Sequence, residues 1–199
     1  MRRFLSVVTT FLALFACGGT AGREEEPSPQ GKAQPAFPLL IRPEAHFEDR
    51  FATSLVCALC HDNSAQATAM RDAREREISP VLLWGSSPMA SSFRDVIWRA
   101  VVSAEVADTP SRKADIQAKC FRCHAPMASV ALPREVVSRS LASGGGSVSQ
   151  LALDGASCTV CHQVLERGLG SESSFSGGYA LGDDLEIFGP HAQPFSRPM

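Results

Sequence analysis

One five-residue string occurs three times in this chain and sets what the chain can fold around. It reads Cys57-Ala58-Leu59-Cys60-His61, then Cys120-Phe121-Arg122-Cys123-His124, then Cys158-Thr159-Val160-Cys161-His162. On a helix, residues three and four apart share a face, so both thiols and the imidazole point one way. This is the spacing of c-type haem attachment. The two thiols add across two vinyl groups of one porphyrin, and the histidine binds the iron from below. The motifs thus nominate Cys57, Cys60, Cys120, Cys123, Cys158 and Cys161 as attachment residues. They nominate His61, His124 and His162 as proximal ligands of three haem c groups.

A single such motif also fits half a zinc site or a redox dithiol. Here six of the seven cysteines fall into three pairs, each followed at once by His. Zinc ribbons collect ligands in fours, whereas these groups have three members. A disulfide inside one motif would close a single helical turn and staple nothing distant. Zinc and a disulfide framework remain the alternatives.

The seventh cysteine belongs to the N-terminus. Arg2 and Arg3 precede an almost unbroken apolar run from Phe4 to Ala16. At ~1.5 Å per residue that run reaches about 20 Å, short of a ~30 Å hydrocarbon core. A signal peptide over residues 1–16 fits better than a span. Leu14-Phe15-Ala16-Cys17 resembles a bacterial lipobox, which implies lipidation of Cys17 and a membrane anchor. Phe15 is bulkier than usual there, so cleavage and release stays open. Residues 17–43 read as a disordered tether: Gly18-Gly19, three consecutive glutamates and several prolines offer little to pack. A flexible coil of that length spans roughly 25–30 Å. Residues 44–199 suit one domain. With 19 basic and 21 acidic residues the chain is close to neutral, and nothing points to nucleic acid.

The expected fold is mainly α with long irregular loops. Short helices carry the three motifs around stacked haems, with a small β-hairpin near the C-terminus. The patterning predicts helices over Leu55–His61, Ala65–Glu77 (stopped by Pro80), Phe93–Val106, and Thr109 or Pro110 to His124. A short helix follows Pro133, and a last one runs from Asp154–Ser157 to before Gly168. Trp84 to Ala90 reads as irregular. On the Phe93–Val106 helix, Ser91 or Ser92 is the expected cap, and Phe93, Val96, Ile97, Ala100, Val101 and Ala104 form an apolar stripe. Tyr179-Ala180-Leu181 and Leu185 to Phe188 flank Gly182-Asp183-Asp184, a hairpin signal.

Three irons with three proximal histidines leave His46 and His191 for distal positions, since the chain has five His. At most two haems are therefore bis-His within one chain. Thioether is the next ligand class. Met89, in an irregular stretch with no evident packing role, is the leading candidate over Met70, Met127 and Met199. His46 also reads as a surface residue and Met70 as helix packing. Trp84 and Trp98 read as packing on porphyrin or core. Arg71, Arg74 and Arg76 read as a solvated face.

The segments WGSSPMASSFRD (84–95), GASCTVCHQV (155–164) and IFGPHAQPF (187–195) resemble a family of bacterial multihaem c-type cytochromes. They are similar in style to the tetrahaem electron carriers of ammonia oxidisers, over most of residues 50–199. In that family a Trp-x-x-Ser-x-His segment supplies a distal His; Met89 stands at that place here. The family usually continues into a further C-x-x-C-H, so the resemblance implies either a three-haem form or a chain incomplete at its C-terminus.

The resemblance implies a periplasmic or cell-surface electron-transfer protein. Its partners would be other cytochromes or a quinol-linked complex. Three haems in one domain favour a relay. A multihaem oxidoreductase acting on a small nitrogen compound or peroxide at a five-coordinate iron is the alternative, and a haem-based sensor is the third reading.

Overall fold

The structure is a computed structural model and describes residues 43–66, 68–142, 148–183 and 185–193. The expected signal segment, Cys17, the tether up to residue 42 and Met199 lie outside the described residues. So does the Gly144-Gly145-Gly146 break.

Helices form at all three motifs. Ser54–His61 (α1) carries the first and Lys113–His124 (α5) the second. Cys158–Cys161 (α9) carries the third and is a single turn, shorter than expected. Before α5, Pro110–Arg112 form a 3-10 turn, so the helix proper begins three residues after the proline. The buried carboxylate of Asp154 caps α1 from a distance: Ser54 donates its N–H to one oxygen at 2.7 Å and its hydroxyl to the other at 2.6 Å. A capping acceptor satisfies an N–H that the helix cannot.

Between the first two motifs the fold departs from the patterning. Residues 65–77 are not an α-helix. Thr68–Met70 form a 3-10 turn, and Arg71 bridges back to Glu77. Asp72 is the cause: its carboxylate accepts the N–H groups of Arg74 and Arg76 and pairs with the Arg76 guanidinium. Such a local acceptor competes with the helix for backbone donors. Pro80 does not stop a helix but opens one, Pro80–Gly85 (α2), whose first turn is capped by Ser79. Pro88 likewise opens the short Pro88–Ser91 (α3). Proline is favoured there because its missing N–H is one the first turn leaves unpaired.

The strong helix is Val96–Asp108 (α4), and its cap is Asp95, which accepts the N–H groups of Ile97 and Trp98. The expected apolar stripe is not its buried face. Val96, Ile97 and Val101 are exposed, whereas Val102 is buried. Phe93 ends up before the helix, fully buried, and Trp98 packs on it with ring centroids 5.7 Å apart. That contact fixes which side of α4 faces inward.

Helices Pro126–Ala131 (α6), Arg134–Ala142 (α7) and Gln150–Leu153 (α8) follow. The core gathers Phe51, Phe93, Phe121, Met127, Leu151 and Val160, and burying each such side chain contributes about 1.5–3 kcal/mol. Met127 therefore packs in the core. The third-motif segment is its most enclosed part, with residues 151–155 all buried. Helix α9 packs on α1, α6 and a short strand.

That strand belongs to the one sheet among the described residues. Phe47–Glu48 (β1) pairs antiparallel with Phe51–Ala52 (β2), Phe47 opposite Ala52. The hairpin thus sits at the start of the domain, not at 179–188. There the two expected arms separate. Leu181 bridges Val164, and the Leu165 N–H reaches the Ala180 carbonyl at 2.9 Å. Phe188 instead donates its N–H to the His162 carbonyl at 2.7 Å. The one-turn α9 leaves backbone groups after it unpaired, and both arms bind to those.

Candidate functional site

The two longer motif helices arise from local signals, and the third is held by its surroundings. All six motif cysteines are free thiols; the second of each pair is exposed and the first half-buried. The residues between them differ. Leu59 is 85% exposed, Phe121 is buried, and Thr159 and Val160 are both buried. Thr159 donates its hydroxyl to the Ala52 carbonyl at 3.0 Å and so ties the third motif to β2.

Two of the three motif histidines are held in one tautomer. His124 Nδ1 lies 2.9 Å from the Ser92 carbonyl oxygen. His162 Nδ1 lies 2.6 Å from the Phe188 carbonyl oxygen. A carbonyl only accepts, so Nδ1 carries the hydrogen in both rings and Nε2 keeps its lone pair. This is the state in which imidazole ligates a metal, with the partner of the other nitrogen fixing the ring and raising its basicity. His124 is further clamped by Trp98, stacked on it at 4.2 Å with planes 6° apart. His61 is exposed, and no hydrogen bond to its ring occurs among the described residues.

The first and third motifs meet. The Cys57 and Cys158 thiols interact, which pulls Cys158 down to about 6 and pushes Cys57 up. Asp154 lies beside both, and the Ser157 hydroxyl donates to Cys158 Sγ at 3.8 Å. Burial raises the Asp154 carboxyl above the ordinary range although the Ser54 donors work against the shift.

The second and third motifs face a common hollow of about 330 Å³, lined by Cys123, Cys161, Pro126, Val160, Arg122 and Tyr179 among others. It shares Arg122, Gly177 and Tyr179 with a neighbouring hollow of about 510 Å³ that reaches Phe121 and Val137. Volumes of this order suit a bound organic group. Burial pushes the Tyr179 phenol up to about 12, with Cys161 and Cys123 adding to the shift. Gly177, at φ +77°, brings the chain so close to Arg122 that a Cβ would lie 2.7 Å from the Arg122 Cβ.

The distal candidates are placed as follows. Met89, on α3, is 49% exposed. Its segment docks on the entry to the third motif. The Ala156 N–H reaches the Met89 carbonyl at 3.1 Å, and the Trp84 indole donates to the Ala156 carbonyl at 2.8 Å. Ser92 joins the same place to the second motif by donating its hydroxyl to the His124 carbonyl at 3.0 Å. His46 lies 3.3 Å from the Glu48 carboxylate, and its backbone pairs with Thr53, the residue before α1. His191 is exposed, three residues past the Phe188 carbonyl that holds His162. Met70 is half-buried in its 3-10 turn.

Sequence reasoning missed Asp154, Tyr179 and the Ser92 and Phe188 carbonyls. An aspartate closing the apolar run Leu151-Ala152-Leu153 was the available signal for Asp154. Among the described residues, no three His, Cys, Asp or Glu side chains converge as a metal cluster. A haem needs no such cluster, because each motif supplies two covalent anchors and one nitrogen. The donor set fits that group at His124 and His162, where Nε2 is free and the flanking thiols are unpaired by disulfides. Compared with protein families, curated proteins and solved structures, the chain matches none.

Proposed function

We propose that this chain is an exported trihaem c-type cytochrome that relays electrons. The carrying observation is the pair of histidines, each directly after a Cys-x-x-Cys, whose Nδ1 is tied to a backbone carbonyl. In this reading Cys57 and Cys60, Cys120 and Cys123, and Cys158 and Cys161 anchor one haem each. His61, His124 and His162 supply Nε2 to iron. A haem so held supplies an iron that cycles between ferric and ferrous. The protein's share is to fix ring orientation: Ser92 and Phe188 set the imidazole tautomers, and Trp98 clamps one ring face. The exposed residues of α4 support the reading. Ile97 and Val101, on the helix that carries Trp98, leave apolar surface exposed of the kind that a porphyrin would cover.

Met89, His46 and His191 are the proposed distal ligands, and five histidines leave one iron short of a second imidazole. The shortage keeps the alternative of a multihaem oxidoreductase with one five-coordinate iron. Partners are redox proteins, other cytochromes or a quinol-linked complex. Among the described residues no helix is long and apolar enough to cross a membrane. Anchoring is proposed instead through lipid on Cys17, in the periplasm or at the outer membrane.

Expression with a cytochrome c maturation system tests the core of this. The expected product is heavier by three haems, with the adducts on the six motif cysteines. A zinc-loaded or unmodified chain sinks the proposal. Cys17→Ser should move the protein from the membrane to the soluble fraction with its haem spectrum unchanged; unchanged fractionation removes the anchor.

A further inference from the structure

We infer that the third motif is the middle station, so that the attachment sites run first–third–second in space rather than in chain order. The inference rests on the trihaem reading above.

Two independent features carry it. The first joins motifs one and three. Asp154 is fully buried and accepts the Ser54 N–H and hydroxyl at 2.7 and 2.6 Å. Ser54 is three residues before Cys57. Asp154 itself lies only four residues before Cys158, directly ahead of the third motif helix. The residue that leads into the third motif therefore holds the start of the first motif helix. Helix α1 packs on α9, which brings Cys57 and Cys158, the first anchor of each motif, close to one another. A buried carboxylate without those donors costs several kcal/mol, so the arrangement is tightly specified.

The second feature joins motifs three and two. Cys161 and Cys123, the other anchors, line one hollow together with Tyr179 and Arg122. Tyr179 is half-buried and forms a wall common to both. The third motif thus offers one thiol to each neighbour: Cys158 towards Cys57 and Cys161 towards Cys123. Among the described residues α1 and α5 are not main packing partners. The main packing partners of α1 are α2 and α9, whereas α5 packs chiefly on α6, α4 and the Glu172–Gly177 turn. Burial agrees with the order, because both residues inside the third motif are enclosed while Leu59 and Arg122 face outward.

Pairwise magnetic coupling between ferric sites tests this in the full-length holoprotein. Its mass is read first: a load below three haems defeats the trihaem reading itself and is thereby told apart from a wrong order. With three haems present, the wild-type spectrum should contain two strong couplings and one weak. Cys57→Ala with Cys60→Ala, and separately Cys120→Ala with Cys123→Ala, should each leave a strongly coupled pair. A pair left magnetically isolated by either deletion overturns the order. Three strong couplings in the wild type, or only one, do the same and need no variant to fold.

Discussion

The indole of Trp98 and the imidazole of His124 lie face to face, 4.2 Å apart and within 6° of parallel. The ring's edge is held as well, by the Ser92 carbonyl 2.9 Å from Nδ1. One face and one nitrogen are thus committed, which leaves Nε2 as the free donor of a ring that cannot easily turn. Trp98 is positioned in turn by the cap of α4, where Asp95 accepts its N–H at 3.0 Å, and by Phe93 beneath it.

Trp98→Ala removes that stack together with part of the inner face of α4. A stacked aromatic pair is worth about 0.5–1.5 kcal/mol beyond its buried area. Since Trp98 is half-buried, the expected loss is about 2–3 kcal/mol, below the ~3–5 kcal/mol of a fully buried aromatic. Trp98→Phe should retain most of it. Urea midpoints at unchanged m-value measure this. Equal midpoints for wild type and Trp98→Ala would show that the stack stabilises nothing.

Asp154 gives a pH signature. Burial raises its folded-state carboxyl value above the unfolded value of about 3.9. Between those two values the native state binds more protons than the unfolded state, so this group's contribution to stability falls as pH rises through that window. Asp154→Asn keeps an acceptor for the Ser54 N–H but does not ionise, so this part of the pH slope should vanish. Asp154→Ala leaves the Ser54 donors unpaired, at about 1–3 kcal/mol. Urea titrations at several pH values from 4 upward compare the variants. A slope in Asp154→Asn equal to that of wild type rules out the contribution.

The motif helices were legible because their signals are local: a proline near the start, a run of helix formers, and the C-x-x-C-H spacing itself. Two of the errors share one cause, backbone groups finding partners that leave no trace in a pattern. Asp72 captured the donors expected to build a helix over 65–77. The 179–188 hairpin dissolved because residues 163–165 and His162 offered better partners to its two arms. The site follows the same division. The motif cysteines and histidines announce themselves by type and spacing. The carbonyls of Ser92 and Phe188 carry no signature, since every residue has one and only the fold brings it to a histidine. The stripe on α4 was misread because apolar periodicity gives a face but not what covers it.

Gly155 joins the segment around Met89 to the third motif, and nothing larger fits. Its φ is +65°, and an added Cβ would lie 2.5 Å from the Met89 carbonyl oxygen and 2.7 Å from Ser92 Oγ. Left-handed backbone alone costs a non-glycine residue roughly 1–2 kcal/mol. Gly170, at φ +81° with nothing within 4 Å, isolates that cost. Gly155→Ala should therefore destabilise more than Gly170→Ala and should speed exchange of the Trp84 indole N–H, whose acceptor is the neighbouring Ala156 carbonyl. Equal effects of the two substitutions would mean the segment shifts aside freely.

Met89 offers the sharpest test of the distal ligands. Its thioether is half-exposed, so packing makes little demand on it. Met89→Leu conserves volume and should change stability by less than about 1 kcal/mol. Ligation predicts a different and larger response in the holoprotein. Loss of the sulfur should turn one haem from low to high spin and lower its potential, because thioether ligation favours the ferrous state. Met89→His should restore low spin at a potential still below that of the methionine form. The segment's ties to Ala156 and, through Ser92, to His124 predict that the haem affected is the second or the third. Visible and EPR spectra with a potentiometric titration read all of these. If Met89→Leu leaves three low-spin haems at unchanged potentials, Met89 is a surface residue. The missing ligand must then be another side chain or none, and an open iron turns the balance towards the oxidoreductase.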